Sequence, residues 1–239
     1  MAQIVTHLLI NLMIFSMALS NRLSAIAKLI EKDSVVADIG TDHALLPIFL
    51  RRNNIAKSII ACDINEGPLK VAKKNVLASG VDNITLRLGN GLAPLKRGEV
   101  SCSVIAGMGG EVIKQILDAC EFAKDLRFIL QPMSSANDLR RYLSQNGYNV
   151  KSETAVEDSG RIYAIICAEH GGNMPCYEGY EMYIGKMRGG NQAERRYIMN
   201  ECDRIAKLCE DIKNVPRKAE LLDKSKKCLK KIEQVIKEW

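Results

Sequence analysis

The sequence has no Cys-x-x-Cys pair, and none of its eight cysteines stands near a histidine at zinc-binding spacing. Cys62, Cys102, Cys120, Cys167, Cys176, Cys202, Cys209 and Cys228 are scattered, several of them inside apolar runs such as "IIACD" and "AIICAE". Such thiols are expected to stay reduced and to serve as small core residues of a cytoplasmic protein, with no disulfide framework and no metal. An uninterrupted apolar run of the roughly 20 residues needed to span a membrane is also missing. "IVTHLLINLMIFSMALS" is too short, and it has neither a basic segment ahead of it nor a small-residue cleavage site, so no membrane association and no signal peptide are expected. Met17 then begins "MALSNRLSAIAKLI", where Ser20 is placed to cap a helix with Leu23, Ile26, Ala27 and Ile30 on one face. The functional start is expected at Met17, with residues 1–16 a non-essential extension.

What remains is ordinary in bulk. A hydrophobic fraction of 47% with 26% charged residues belongs to a folded chain and excludes disordered or collagen-like classes. At 239 residues there is material for one substantial domain and an appendage. The net charge is +6, and it is unevenly spread: residues 1–171 hold 19 Lys+Arg against 17 Asp+Glu, residues 172–239 hold 15 against 11. The short C-terminal part is the more cationic, which suits a polyanionic partner or a simple solvated face.

From Ser34 onward, short β-branched runs alternate with helical patterns. "SVVADI", "KSIIACD", "ITLRLGNG", "CSVIAGMGG" and "RFILQP" read as strands; "ALLPIFLRRN", "EGPLKVAKKNVLAS", "EVIKQILDAC" and "ANDLRRYLSQNG" read as helices. In the second helix Leu69, Val71, Ala72, Val76 and Leu77 form the expected apolar face. The alternation then stops: "YNVKSETAVED", the turn "DSG" and "RIYAIICAE" form a hairpin with no helix between its strands. Five strand–helix units imply a parallel sheet, to which the hairpin adds an antiparallel strand at or near one edge. After the glycine-containing segment "HGGNMPCYEGY", two long helical patterns flank Pro216, as in an antiparallel helical hairpin. Ile198, Ile205, Leu208 and Ile212 would face Leu222, Leu229, Ile232 and Ile236.

The first strand runs into "DIGTDHALLP", which lacks the G-x-G-x-x-G of a dinucleotide loop: Gly40, Asp42 and Leu45 occupy the three positions. Asp42 would repel a pyrophosphate, so NAD and FAD are disfavoured. S-adenosylmethionine (SAM) has no phosphate. Its sulfonium and ammonium gain from nearby negative charge, and one tight glycine turn, Gly40, suffices. Asp38 at the strand end suits the ammonium; Asp42 suits the sulfonium, unless it is only a helix N-cap. Asp63, ending the second strand, is placed for ribose hydroxyls; Asn90 in "GNG" for the adenine amino group. "AGMGG" exposes backbone amides where open α/β sheets bind ligands.

"DIGTDHALLP", "GNGL", "IAGMGG" and "ILQP", in this order and spacing, resemble the TrmK family of bacterial tRNA (adenine-N1)-methyltransferases, which modify adenine 22 of tRNA. The resemblance runs from about Leu19 to the C-terminus. It implies an α/β fold: a Rossmann-like class I SAM-dependent methyltransferase domain over residues 17–171, its mainly parallel sheet ending in the antiparallel hairpin, and a coiled-coil-like helical hairpin over 172–239. It implies SAM as cofactor and tRNA as partner, in a cytoplasmic monomer. Carried over by motif, Arg22, Asp38, Gly40, Thr41, Asp42, His43, Asp63, Ile64, Asn90, Gly91 and Gly107 would hold the cofactor. Asp42, Gly107, Met108, Gly109, Gln131 and Pro132 would serve catalysis and line the target-base pocket. The family has aspartate where Asn90 stands; asparagine keeps an acceptor but loses the charge. The Asn/Asp-Pro-Pro-aromatic signature for exocyclic amines is absent, and "GMGG" takes its place, which favours a ring nitrogen over N6. Tyr142, Tyr148 and Tyr163 are stacking candidates for an extruded base. Lys224 to Lys231, with Arg195 and Arg196, are candidates for tRNA phosphates. A methyltransferase of another RNA adenine or of a small molecule, and a non-catalytic SAM- or RNA-binding module, are the alternative readings.

Overall fold

The computed structural model describes residues 19–172, 177 and 179–239. The proposed extension 1–16, the start at Met17, Cys176 and the middle of the glycine-containing segment lie outside the described residues.

Seven strands form one sheet in the order β3-β2-β1-β4-β5-β7-β6: β1 (Ser34–Ile39), β2 (Ala56–Asp63), β3 (Ile84–Leu88), β4 (Cys102–Met108), β5 (Arg127–Pro132), β6 (Tyr148–Asp158) and β7 (Arg161–His170). The first five pair in parallel. β7 enters antiparallel beside β5, and β6 lies outside it as the edge strand. Because β7 must return from the β6 turn, the hairpin inverts the chain direction at that edge without a crossover helix.

Helices α1 (Asn21–Ala27), α2 (Leu45–Arg52), α3 (Glu66–Ser79), α4 (Gly110–Asp118) and α5 (Ala136–Gln145) cover the two faces. The period of two decides what goes where. β1 sends Ala37 and Ile39 into a layer with Ile113, Leu117, Leu139 and Leu143, and Val36 into the opposite layer with Ile26, Leu46 and Leu50. Both faces being covered, the central strands are apolar almost throughout. Ser20 caps α1, its Oγ accepting from Leu23 N at 3.3 Å.

Two expectations are corrected. No helix follows β3; residues 89–101 pass to β4 through turns. α3 buries only Ala72, while Leu77 is 73% exposed and Val71 39%, because this helix lies over the sheet's short outer strand and touches a small cluster around Ala44 and Ile48.

Beyond the sheet come a short turn of helix, α6 (Glu181–Ile184), and the long pair α7 (Gln192–Ile212) and α8 (Ala219–Lys237), joined through a 3-10 turn at Pro216. Asn191 caps α7 by accepting from Glu194 N at 2.9 Å, and Glu194 reaches back to Gly190 N at 3.0 Å. Ile198 and Ile205 meet Ile232 as expected, with Leu222, Leu229 and Ile236 packed against them and with Cys209 and Val235 in the cluster that lacks Leu208 and Ile212, and this core continues into Ala155 and Ala164 of the β6–β7 edge. Among the described residues, no helix is long and apolar enough to cross a membrane.

The helical pair is tied to the sheet by a buried ion pair. Arg140 on α5 and Glu153 on β6 have fully buried side chains; Nε and Nη2 of the arginine both lie 2.7 Å from Oε1 of Glu153. Arg140 also donates to the carbonyls of Met182 (3.1 Å) and Tyr183 (2.7 Å) and to the hydroxyl of Tyr197 on α7 (3.3 Å). Glu153 Oε2 accepts from Tyr177 Oη (3.1 Å) and Lys186 N (3.0 Å). Burial disfavours the guanidinium charge, but the facing carboxylate outweighs it and the arginine's pKa is raised. Gly185 has φ of +60°, and a Cβ there would sit 1.8 Å from Glu153 Oε2, so only glycine lets the backbone pass. Glu153→Gln leaves the guanidinium facing a neutral amide and is expected to cost about 3–5 kcal/mol of unfolding free energy. The Arg140→Met/Glu153→Leu double variant should lose less than Glu153→Gln; chemical denaturation of the three proteins measures both.

Candidate functional site

β1 and β4 are adjacent in the sheet, yet their following segments leave in opposite directions, one toward β2 and the other toward β5. The crevice above their carboxyl ends is where such sheets bind ligands. Here it holds a cavity of about 310 Å³ lined by Arg22, Asp38, Gly40, Thr41, Asp42, His43, Ala106 and Gly107, with Leu23, Leu45 and Leu46. The loop after β1 is pinned from β2: Gly40 N and Thr41 N both donate to the Cys62 carbonyl, at 2.9 and 3.0 Å. Gly40 has φ of +75°, and Met108 folds over it so closely that a Cβ would lie 2.3 Å from the Met108 methyl.

Asp42 is not a helix cap. The N-cap of α2 is Ala44, which makes no side-chain bond, and both Asp42 (φ +48°) and Ala44 (φ +55°) take the left-handed conformation that side chains resist. That geometry turns the Asp42 carboxylate to the rim, 63% exposed and 3.4 Å from His43 Nε2.

Asp38 lies at the floor. It is 6% exposed, and desolvation raises its pKa to about 6; the Thr41 hydroxyl beside it offsets part of the shift and the charge of Asp63 adds to it. The contact with Thr41 falls short of full hydrogen-bond geometry, for Thr41 Oγ1 has no hydrogen-bond partner among the described residues. No ion pair among the described residues reaches Asp38. A buried carboxylate without a cation, at the bottom of a cavity, is suited to a ligand that brings an ammonium.

The remaining candidates surround this cavity without lining it. Asp63 accepts from Asn65 N (2.9 Å) and Asp42 N (3.4 Å), and its carbonyl receives Gly89 N (2.9 Å), so one residue fixes the β1 loop and the β3 end together. Ile64 next to it is 59% exposed, an apolar surface at the strand end. Asn90 and Gly91 line a separate space of about 170 Å³ against Val112, Gln115 and Ile116 of α4.

Gln131 was expected in the target-base pocket. It is fully buried, lines neither cavity, and spends its side chain inside the protein: Oε1 accepts from Arg22 Nη1 (2.6 Å) and Gly107 N (3.0 Å), and Nε2 donates to the Pro132 carbonyl (3.0 Å). It positions Arg22 and the β4 turn. Met108 packs its side chain on Gly40 and the core, and its carbonyl accepts from Met133 N at 2.8 Å. Gly109 and Gly110 abut the turn after β5, with Gly110 N donating to the Ser134 carbonyl at 2.9 Å.

Pro132 faces a second, larger cavity of about 400 Å³ between the β5–α5 turn, β7 and α7. Its lining includes Met133, Ser134, Tyr163, Tyr183, Tyr197, Glu201 and Arg204, of which the sequence reading had singled out only Pro132 and Tyr163. The other stacking candidates are engaged elsewhere: Tyr148 is buried edge-on to Phe128, and Tyr142 donates to Asp118 at 2.5 Å.

Residues 19–166 match a family model described as a methyltransferase domain. The chain is 38% identical over 177 residues to the tRNA (adenine(22)-N(1))-methyltransferase of Bacillus subtilis strain 168, covering 72% of this chain and 73% of that protein. The crystal structure of the B. subtilis M1A22 tRNA methyltransferase TrmK superposes with a TM-score of 0.80 at 30% identity, covering 92% of this chain and all of that one. M. capricolum TrmK, solved with the natural cofactor product S-adenosyl-homocysteine, gives 0.75 at 30% identity, over 92% and 98% of the two chains.

The pKa of Asp38 fixes the sign of a pH effect. With its folded value near 6 and an unfolded value near 3.8, the folded state binds more protons in that interval, so stability is lost as pH rises from about 4 to about 6. Asp38→Asn should raise the stability of the ligand-free protein by on the order of 2–3 kcal/mol at pH 7.5 and leave it unchanged at pH 3.5, read from denaturation at the two pH values.

Proposed function

Because the chain belongs to the family of bacterial tRNA (adenine(22)-N(1))-methyltransferases, we propose that it transfers the methyl group of SAM to N1 of adenine 22 in tRNA. The observation that carries the reading is Asp38, a buried carboxylate without a cation at the floor of the switch-point cavity.

Asp38 and the Gly40–Thr41 turn hold the methionine end of the cofactor, with Asp42 and His43 at the rim. Asp63 takes the ribose, Ile64 packs on the adenine, and Asn90 with Gly91 closes the far end. SAM supplies a sulfonium-activated methyl group: the N1–carbon bond forms as the sulfur–carbon bond breaks, its electron pair returning to sulfur and the positive charge passing to the adenine. N1 of adenine carries a lone pair and no proton at neutral pH. The protein therefore needs no general base, and alignment supplies much of the rate. Gln131 provides part of that alignment by fixing Gly107 N and Arg22 in one plane of contacts. Asp42, exposed at the rim, is the carboxylate best placed to offset the charge that develops on the base.

The helical pair holds the tRNA backbone. Of the candidate cations, Lys224 and Lys227 pair with Glu220 and Asp223, Arg196 pairs with Glu157, and Arg195 donates to the Gly189 carbonyl and lies over the Trp239 ring, whereas Lys226, Lys230 and Lys231 are exposed and carry no ion pair among the described residues. The unpaired three bear the proposed phosphate contacts.

With labelled SAM and an unmodified tRNA transcript, 1-methyladenosine should appear with adenine at position 22 and not with guanine there; equal label in both would move the site. SAM affinity should fall as pH drops through about 6, where Asp38 loses its charge, and calorimetric titration should find this dependence absent in Asp38→Asn. Reversing Lys226, Lys230 and Lys231 to glutamate should weaken tRNA binding and lower its salt slope by roughly 2–3, with SAM affinity unchanged in the same preparations.

A further inference from the structure

We infer that the acceptor nucleobase is received in the 400 Å³ cavity at the junction of the sheet and the helical pair, so that α7 forms one wall of the active site. This rests on the reaction proposed above and places its second substrate.

The cofactor cavity, at 310 Å³, lies at the small end of the range of about 300–1,000 Å³ for a single small-molecule ligand. Its lining takes the methionine end of the cofactor, and in-line displacement at the methyl carbon brings N1 from the side opposite the sulfur. The acceptor must approach the methyl group from another side, and the β4 turn shows which. Gly107 lines the cofactor cavity. One residue on, the Met108 carbonyl holds Met133 N at 2.8 Å, and Gly109 lies against the Ser134 side chain; both Met133 and Ser134 line the junction cavity. The partition between the two spaces is thus a single turn together with Arg22, which lines the first cavity and sets its guanidinium 6.0 Å from the ring centroid of Tyr163 in the wall of the second.

The walls have the chemistry of a nucleobase site. Pro132, Tyr163 and Tyr183 offer flat or aromatic surfaces, and base–aromatic stacking tolerates any base while contributing usefully to binding. Ser134 offers a hydroxyl, and the Glu201–Arg204 pair, 2.6 Å apart on α7, offers acceptors and donors for a base edge. The Arg140–Glu153 contacts to Tyr183 and Tyr197 hold this wall in place. A base stacked in the tRNA would have to be extruded to enter, as enzymes acting on single bases require.

The test fills the space. Ser134→Leu in the full chain should lower kcat/KM for tRNA by about tenfold or more, while the dissociation constants for SAM and for tRNA stay within about twofold. Tyr163→Ala should act in the same direction and Tyr163→Phe should restore activity, since the ring and not the hydroxyl is needed. Thermal melting establishes that each variant is folded; where Ser134→Leu is not, Asn137→Leu in the same wall is read in its place. Wild-type methylation of adenine 22 with undiminished kcat/KM in the folded filling and Tyr163→Ala variants would overturn the acceptor site alone. A wild-type protein inert on that tRNA, with SAM bound, would overturn the reaction and the site together.

Discussion

Arg140 and Glu153 place a full positive and a full negative charge where neither touches water. Such a pair is tolerated only when every remaining donor and acceptor is used, and here they are: two carbonyls, two tyrosine hydroxyls and a backbone amide complete the set. The partners come from α5, β6, the segment around Tyr177 to Lys186, and α7. One electrostatic contact therefore fixes the relative position of the sheet and the helical pair. The strict packing at Gly185 shows how little freedom the surrounding backbone keeps. The apolar seam of Ile198, Ile205 and Ile232 adds burial, which has no direction; the ion pair adds register.

A second economy governs the cofactor end. The loop after β1 carries two left-handed non-glycine residues, Asp42 and Ala44, a costly conformation that persists because the amides of Gly40, Thr41 and Asp42 are held by the end of β2. The result is one carboxylate at the floor, desolvated and lacking a cation, and another at the rim in contact with water. Two acids four residues apart thereby acquire different chemistry: Asp38 favours a bound cation that relieves its burial, and Asp42 remains available to a transient charge. Gln131 works in the same way from the opposite side, giving its whole hydrogen-bonding capacity to Arg22 and the Gly107 amide.

Much of this was legible in the amino-acid sequence because it is local. Alternating apolar runs located all seven strands, and the absence of a helical period between Tyr148 and His170 revealed the antiparallel edge. "DIGTDHALLP" and "AGMGG" marked the turns that line the cofactor cavity. The long-range features left no such mark. Arg140 sits in an ordinary amphipathic pattern, and nothing near it in sequence signals that Glu153 and Tyr197 will meet it. The junction cavity draws its walls from residues 132 to 204, so no window of the sequence contains it. The inward bonds of Gln131 and the packing of Met108 on Gly40 were not legible, since a motif gives position along a strand and not the direction in which a side chain spends its hydrogen bonds.

In the proposed reading two spaces meet across one turn, with the cofactor on the Asp38 side and the base on the Tyr163 side. The most direct measurement is a crystal structure of the full chain with S-adenosylhomocysteine and a tRNA bearing adenine 22. The proposed geometry requires that base to be unstacked from the tRNA and to lie between the β5–α5 turn and α7, with N1 toward the Gly107 turn. Adenine 22 still stacked within the tRNA, or bound on the Asp38 side of Arg22, would contradict it.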